Sequence, residues 1–481
     1  MDKILKIVFI ILSILFVLPS ILYLARYKTI YQFNQWFLFA LNSSNRISQT
    51  ILYFMLLLAI TIIYILIIKN RNKIFKSFKQ IIIFISVISL IFVFVIPFMS
   101  SDVFYYLGVG RLESEYNQNP YYTTIKQYVE ENNPDLNNDT VLAQGYINYW
   151  SDTKVVYGPI WQIICKGVGT LSLGNVDIGL LVFKLVNATV HIMNCYLIYK
   201  ITGKKIYSLI YGLNPFMLIE GIACVHNDIF MLLFTFLALY FMKKEKLSIS
   251  MIFLAFATAI KYVSILLLPF IIIYYFRKEK AGKRLLNCVK YGLIFLVALV
   301  IPYFIYAKDL SVLTATLNQQ SIICKSIYLV IHQYFPYISI EKLSTTFLEI
   351  FIIIYFFTCV TLLFKDKITL KNIFEKYTWF LLAFIFLLMT KFHPWYLMWL
   401  LPVFMYLKAN NLKVIVATGI LAEFANIVFL LNGEGFIYGT PFILAMYIAI
   451  LVFAVAVEKK SQKRKIKCFT HRLKGNENEE K

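Results

Sequence analysis

The chain has 481 residues, 60% of them hydrophobic and 15% charged, with a formal net charge of +22. A soluble fold cannot hide that much apolar surface, so repeated membrane spans are the solution that composition allows. The basic excess sits in short loops between apolar runs, where it sets topology and meets anionic lipid, which argues against a nucleic-acid partner.

In chain order, the N-terminal run MDKILKIVFIILSILFVLPSILYLARY has a basic start but lacks a small-residue cleavage site. It reads as a retained span over 4–25 rather than a signal peptide. Spans follow at 49–68 and 80–98, separated by IIKNRNKIFKSFK (67–79), the clearest cytoplasmic loop. Residues 1–98 thus hold three helices. A long outer segment, 99–176, has a polar middle suited to short surface helices and an amphipathic or re-entrant end, YGPIWQIICKGV. Central spans are predicted at 177–199, 206–223, 228–242, 248–260, 262–276 and 287–307. A second outer segment covers 308–345. The last spans, at 346–364, 377–391, 395–408, 411–431 and 439–457, lead into a basic cytoplasmic tail, 458–481. The fold expected is an all-α polytopic membrane protein with about 14 crossings and both termini inside. The basic loops at 199–205, 242–246, 276–284 and 364–376 then all fall on one side.

Two stretches, 249–276 and 381–408, are too long for one span and barely long enough for two. Each turns at a polar motif on the outer side, and short helices that stop in the bilayer need protein or a wet cavity to shield their ends. An outward-open cavity follows. Seven scattered cysteines read as packing residues without a disulfide framework.

The polar exceptions gather at that outer face. Asp102, in SDVFYY, lies where hydrocarbon meets water, suited to a general base or a cation ligand; a helix cap is the structural alternative. Tyr105, Tyr106 and Arg111 follow it. His226, Asn227 and Asp228 offer an imidazole, an amide and a carboxylate in succession, and Asp228 also suits a helix start. GLNPF (212–216) breaks the entry to that span, and Glu220 is an acid in an apolar run that needs a partner. Lys261 either snorkels or meets an anion such as a lipid phosphate, with Arg111 and Lys391 as further outer cations. In KFHPWYLMWLLP (391–402), His393, Trp395, Tyr396 and Trp399 suit an interfacial belt or a wall for sugar or prenyl groups. Gln319 and Gln320 can bond substrate hydroxyls. There is no glycine-rich nucleotide loop, so an activated substrate is expected on a lipid, with no nucleotide sugar bound directly.

The motifs SDVFYYLGVGR, NPYY, VYGPIW, FKLVNA, GLNPFMLIEGIACVHND, ATAIKY and HPWYLMWLLP, in this order, resemble the GT-C superfamily of integral-membrane glycosyltransferases. Within it the chain looks closest to bacterial polyprenol-phosphate-mannose-dependent alpha-mannosyltransferases. The resemblance implies a polyprenyl-phosphate sugar donor, inversion at the sugar, and a catalytic acid early in the first outer loop, which is Asp102 here. It implies a glycan, glycolipid or lipoglycan acceptor and an extracytoplasmic site in the plasma membrane. No cofactor is required by the sequence. Some GT-C enzymes use a divalent cation on a close acid pair, which SDV lacks, so a cation on Asp102 stays an open alternative. The competing reading is a transporter or flippase of lipid-linked or anionic substrates, which ought to show internal repeats and charges reaching both faces.

Overall fold

The computed structural model describes residues 2–28, 43–309, 312, 326–365, 368–406, 419 and 423. The expected spans at 411–431 and 439–457, the tail, and Gln319 and Gln320 lie outside them. The described residues form helices without a strand, the all-α membrane architecture that the sequence predicts. Five helices are long and apolar enough to cross a membrane: Lys3–Leu22, Thr50–Ile74, Val176–Thr202, Ala281–Ile305 and Ile340–Leu363. A bent pair, Lys205–Gly212 with Met217–Ala223, makes a sixth.

The elements that position the site are these. Helix α1 is Asp2–Tyr27, α2 is Ser43–Ile74 and α3 is Phe78–Val93. The first outer segment folds as four short helices: α4 (Asp102–Ser114), α5 (Ile125–Asn132), α6 (Thr140–Tyr146) and α7 (Pro159–Leu171). Helix α8 (Val176–Thr202) returns through the membrane, and α9 (Lys205–Gly212) begins the bent pair. Helices α10 (Asp228–Lys243) and α11 (Leu247–Thr258) follow. A 3-10 turn at Tyr262–Leu267 then runs into α12 (Leu268–Phe276). The break between α11 and that turn falls at Lys261, as the length of the 249–276 stretch predicts.

The expected span at 206–223 is not one helix. Asn214 and Pro215 interrupt it: proline cannot donate to the preceding turn, and Asn214 Oδ1 instead accepts the Phe216 N–H at 3.1 Å. Beyond the break, Met217–Ala223 is a π-helical turn, and the two pieces bend by 64°. Such wide turns concentrate at functional sites.

A broken helix leaves polar backbone in an apolar medium, where each unpaired group is costly. One face of α8 satisfies it. Lys184, Asn187, His191 and Asn194 follow at three- and four-residue spacing, which places them on one stripe. Lys184 Nζ donates to Val95 O. Asn187 Nδ2 donates to Gly221 O (2.7 Å), and His191 Nε2 to Gly212 O (3.0 Å). Asn194 Nδ2 reaches Ile229 O (3.1 Å) and the Tyr211 hydroxyl (2.9 Å). All four side chains are buried.

Several of the basic loops meet in space. Lys205 Nζ donates to Lys76 O, Lys243 Nζ to Lys200 O and Ile201 O, and an Arg277 guanidinium N–H to Ile368 O.

At the other end the outer helices pack by backbone approach. A Cβ on Gly110 would lie 2.1 Å from Cys165 O, and one on Gly169 2.4 Å from the Gly110 carbonyl carbon, so α4 and α7 touch through glycine. A Cβ on Gly158 would lie 2.1 Å from Ala259 O. There the Gly158 and Ile160 N–H groups donate to Ile260 O (3.4 Å) and Ala259 O (3.2 Å). The YGP motif therefore locks the outer loop onto the turn that carries Lys261. Gly158→Ala should cost at least about 1–3 kcal/mol, since backbone on both sides must part. Gly167→Ala, in α7 with nothing within 4 Å of its Cβ position, should be neutral or stabilising. Thermal unfolding of the two purified variants in detergent checks the contrast.

Candidate active site

Asp102 opens α4 immediately after the strap that leaves α3. That strap is held by Ile96 N–H to Ser20 Oγ (2.8 Å) and by the Lys184–Val95 bond, and its end by Asn148 Nδ2 to Ser101 O (3.0 Å). As a first-turn residue, Asp102 sits at the positive end of the α4 dipole. Its side chain keeps 17% exposure, whereas Asp228, His226 and Glu220 have none. Of these acids, Asp102 alone keeps an exposed edge.

Two phenols stand beside it. Tyr106 Oη is 3.5 Å from Asp102 Oδ2 and donates to Tyr157 Oη at 3.2 Å. Burial and the Asp102 charge push both phenols above their usual value, so they stay protonated.

On the opposite side stands His226. Its Nδ1 lies 3.9 Å from Asp102 Oδ2, and its Nε2 lies 3.1 Å from Glu220 Oε2. The ring stacks on Trp395 with centroids 3.9 Å apart, and Trp395 stacks in turn on His393 at 4.2 Å. Val225, just before His226, adopts φ 60°. A β-branched residue in the left-handed region is strained by roughly 1–3 kcal/mol, and such strain clusters where geometry serves function. Asn227 is fully buried, and neither atom of its amide has a partner among the described residues.

Asp228 starts α10 and chelates Lys261: Nζ lies 2.6 and 2.7 Å from the two carboxylate oxygens. Trp399 Nε1 donates to the same carboxylate. Lys261 Nζ also lies 5.2 Å and 5.4 Å from the ring centroids of Tyr396 and Trp399. Those rings come from Pro394–Tyr406, a 3-10 run in which residues three apart eclipse. Tyr396 and Trp399 accordingly stack at 4.6 Å. The expected anion for Lys261 is thus present within the protein itself, as Asp228.

The structure brings together Asp102, His226, Asp228, Lys261, Trp395, Tyr396 and Trp399, with His393 behind Trp395. Lys391 is buried 4.9 Å from the Trp150 ring centroid, beneath the outer loop. Arg111 departs from expectation. Nine residues along α4, about 13 Å from the helix start, it pairs with Asp139 (2.6 Å) and Glu115 (3.1 Å). Asp139 also accepts the Tyr116 hydroxyl and the Leu142 N–H. Arg111 therefore holds the outer loop together, and its proximity to Asp102 in sequence was misleading. Tyr157 and the contact between Glu220 and His226 were not assigned roles from sequence. The signals were VYGP and a buried acid six residues before a histidine.

Among the described residues no three His, Cys, Asp or Glu side chains converge as a metal cage. The nearest groups to Asp102 are a phenol and an imidazole. This donor set does not fit a divalent cation held by protein alone.

The partly exposed Asp102, the buried His226 and the aromatic-framed Lys261 thus form one cluster in a helical membrane protein. The chain matches the MptA_B family, described as alpha-(1->6)-mannopyranosyltransferase, N-terminal domain, over residues 13–277, and it belongs to that family. It is accordingly a glycosyltransferase acting on mannose. The matched residues include Asp102, Glu220, His226, Asp228 and Lys261; the HPWYLMW motif lies beyond them. No curated protein matches the chain.

Removing one partner of the buried ion pair should strand a charge. Lys261→Met alone should cost about 3–5 kcal/mol. Combining it with Asp228→Asn should recover at least half of that loss. A double-mutant cycle of unfolding midpoints measures the coupling.

Proposed function

We propose that the protein transfers mannose from a polyprenyl-phosphate donor to a hydroxyl of a cell-envelope glycan or glycolipid, at the extracytoplasmic face of a bacterial plasma membrane. The observation that carries this reading is the exposed edge of Asp102, set between donor groups and facing His226, beside a lysine framed by aromatic rings. The clustering of the basic loops at the opposite end supports an outer site. The absence of a nucleotide-binding motif in the sequence supports a lipid-borne donor.

In the proposed reaction Asp102 Oδ2 takes the proton of the acceptor hydroxyl as its oxygen attacks C1 of mannose. The C1–O bond to phosphate breaks on the opposite side, and the lipid phosphate leaves with the electron pair. Neutral Tyr106 and Tyr157 orient the attacking oxygen or Asp102 by hydrogen bonding. Lys261 offers its charge to the leaving phosphate while remaining beside Asp228. The unpaired amide of Asn227 is suited to reading sugar hydroxyls, because an unsatisfied buried amide costs about 1–3 kcal/mol until something bonds it. Trp395, Tyr396 and Trp399 provide apolar faces for the sugar or the first prenyl units. The family description names an alpha-(1->6) linkage; a single displacement yields it from a β-configured donor and a primary hydroxyl.

Asp102→Asn should lower transfer by roughly 100-fold or more, as loss of a general base does, with an unchanged unfolding midpoint. The assay is purified protein in lipid nanodiscs with radiolabelled polyprenyl-phosphate-mannose and a mannose-terminated acceptor. GDP-mannose in place of the lipid donor should give no product. Full activity of the Asn variant overturns the role of Asp102, and efficient use of GDP-mannose overturns the donor.

A further inference from the structure

We propose that Tyr149 and Trp150 form a saccharide subsite at the mouth of the site, an aromatic corner on which a mannosyl ring of the acceptor stacks while its hydroxyl reaches Asp102. The inference rests on the reading of Asp102 as the base that meets a glycan acceptor.

Among the described residues of the first outer segment, Tyr149 is the one aromatic side chain that stands in the open, at 67% exposure. Its ring meets that of Trp150 at 87°, with centroids 4.8 Å apart. Two perpendicular rings make a corner rather than a flat patch. A pyranose has a C–H face and a rim of hydroxyls, and an amphipathic ring that keeps its polar tip in water suits such a ligand.

A single exposed aromatic is ordinary on a protein surface. This one is carried on a short loop that is pinned throughout. The Trp150 N–H donates to Asn148 Oδ1 (3.0 Å), the Ser151 N–H to Asn148 O (3.0 Å) and the Thr153 N–H to Trp150 O (2.9 Å). From outside the loop, the Lys126 N–H donates to Ser151 O (3.0 Å) and the Tyr105 hydroxyl to Thr153 O (2.9 Å). A rigid corner loses little conformational freedom when a ligand docks.

The corner is also tied to both halves of the site. Asn148, directly before Tyr149, donates through Nδ2 to Ser101 O, directly before Asp102. On its other side the Trp150 ring lies 4.9 Å from Lys391 Nζ, at the start of the motif that carries Trp395 and Tyr396. The corner therefore belongs to the side of the acid, away from the rings of Tyr396 and Trp399 that frame Lys261, where the leaving phosphate is placed. Beside it, Asp152 and Lys126 pair at 3.8 Å with 74% and 43% of their side chains exposed. Charges this open mark an aqueous surface rather than one against lipid chains, and they offer partners for sugar hydroxyls.

The probe is α-1,6-mannotriose, titrated by calorimetry without donor into the full-length protein in lipid nanodiscs. Tyr149→Ala removes an exposed ring, so its unfolding midpoint should equal that of wild type. Its Kd for mannotriose should rise roughly 3- to 10-fold, the worth of one aromatic face, while Tyr149→Phe, which keeps the face, should stay within about twofold. In turnover, KM for the mannosyl acceptor should rise by the same factor in Tyr149→Ala. kcat at saturating acceptor and KM for the lipid donor should stay within about twofold, because ground-state and transition-state binding are lost together. Equal mannotriose affinity in wild type and Tyr149→Ala overturns the subsite, and so does an enzyme that transfers mannose without binding mannotriose. A rise in donor KM with unchanged acceptor KM also overturns it and assigns Tyr149 to the lipid. Tyr149-dependent mannotriose binding supports the subsite even where Asp102→Asn keeps full activity; in that case only the reading of Asp102 falls.

Discussion

The arrangement of the site depends on one constraint: backbone carbonyls freed inside an apolar bundle must be bonded. The turn that carries His226, Asn227 and Asp228 exists because the helix before it is broken at Asn214–Pro215 and rewound as a π turn. That break is tolerable because α8 aims Asn187, His191 and Asn194 at Gly221 O, Gly212 O and Ile229 O. Each such bond replaces an orphan whose burial costs about 1–3 kcal/mol. Lys184 extends the same stripe to Val95 O, on the strap that delivers Asp102. One helix face therefore sets the two halves of the site relative to each other, without contributing a group to it.

The outer helices supply the complementary constraint. Glycine contacts between α4 and α7, and between the YGP loop and the 259–260 turn, leave no room for side chains. Backbone packed on backbone fixes spacing more tightly than interdigitated side chains do, because there is no rotamer left to adjust. Asp102 and Lys261 are thus carried on elements whose separation is set by main-chain hydrogen bonds. Arg111, bound to Asp139 and Glu115, stabilises the same cap from its far end.

Much of this was legible in the sequence, and what was not has a physical reason. Charge bias in the loops placed SDVFYY, VHND, Lys261 and HPWYLMW on one face, and the structure joins residues from all four. Periodicity could not reveal the role of α8, since four polar residues in a 27-residue apolar helix barely disturb its hydropathy. Their use depends on a partner that is itself irregular. The bond between Asp228 and Lys261 was missed for a related reason. Read singly, Lys261 suits snorkelling or a substrate anion and Asp228 a helix start or substrate contact, whereas two opposite charges in one low-dielectric turn neutralise each other first. Arg111 shows the converse error, in which nearness in sequence along a helix becomes a distance of several turns' rise. The expected count of about 14 crossings rested on length and charge phase. The short elements around 215, 261 and 390 show why such counting is loose here: these apolar stretches are broken into short pieces rather than formed as single long helices.

The charges of the site also bear on the order of events in the proposed reaction. Asp102 and Asp228 lie near Lys261, and Asp228 already shares it through both carboxylate oxygens. A phosphodiester entering this surrounding brings one more negative charge, and as it leaves it gains another. Lys261 alone cannot offset both. Proton transfer from the acceptor changes the balance in the same step: Asp102 loses its charge as the phosphate gains one, so the total near the reacting atoms stays constant. A stepwise route that formed the alkoxide before the phosphate departed would put extra negative charge beside these acids and is disfavoured by the same count. The surplus of acids, which looks ill-suited to an anionic donor, thus becomes the feature that couples deprotonation to departure of the leaving group.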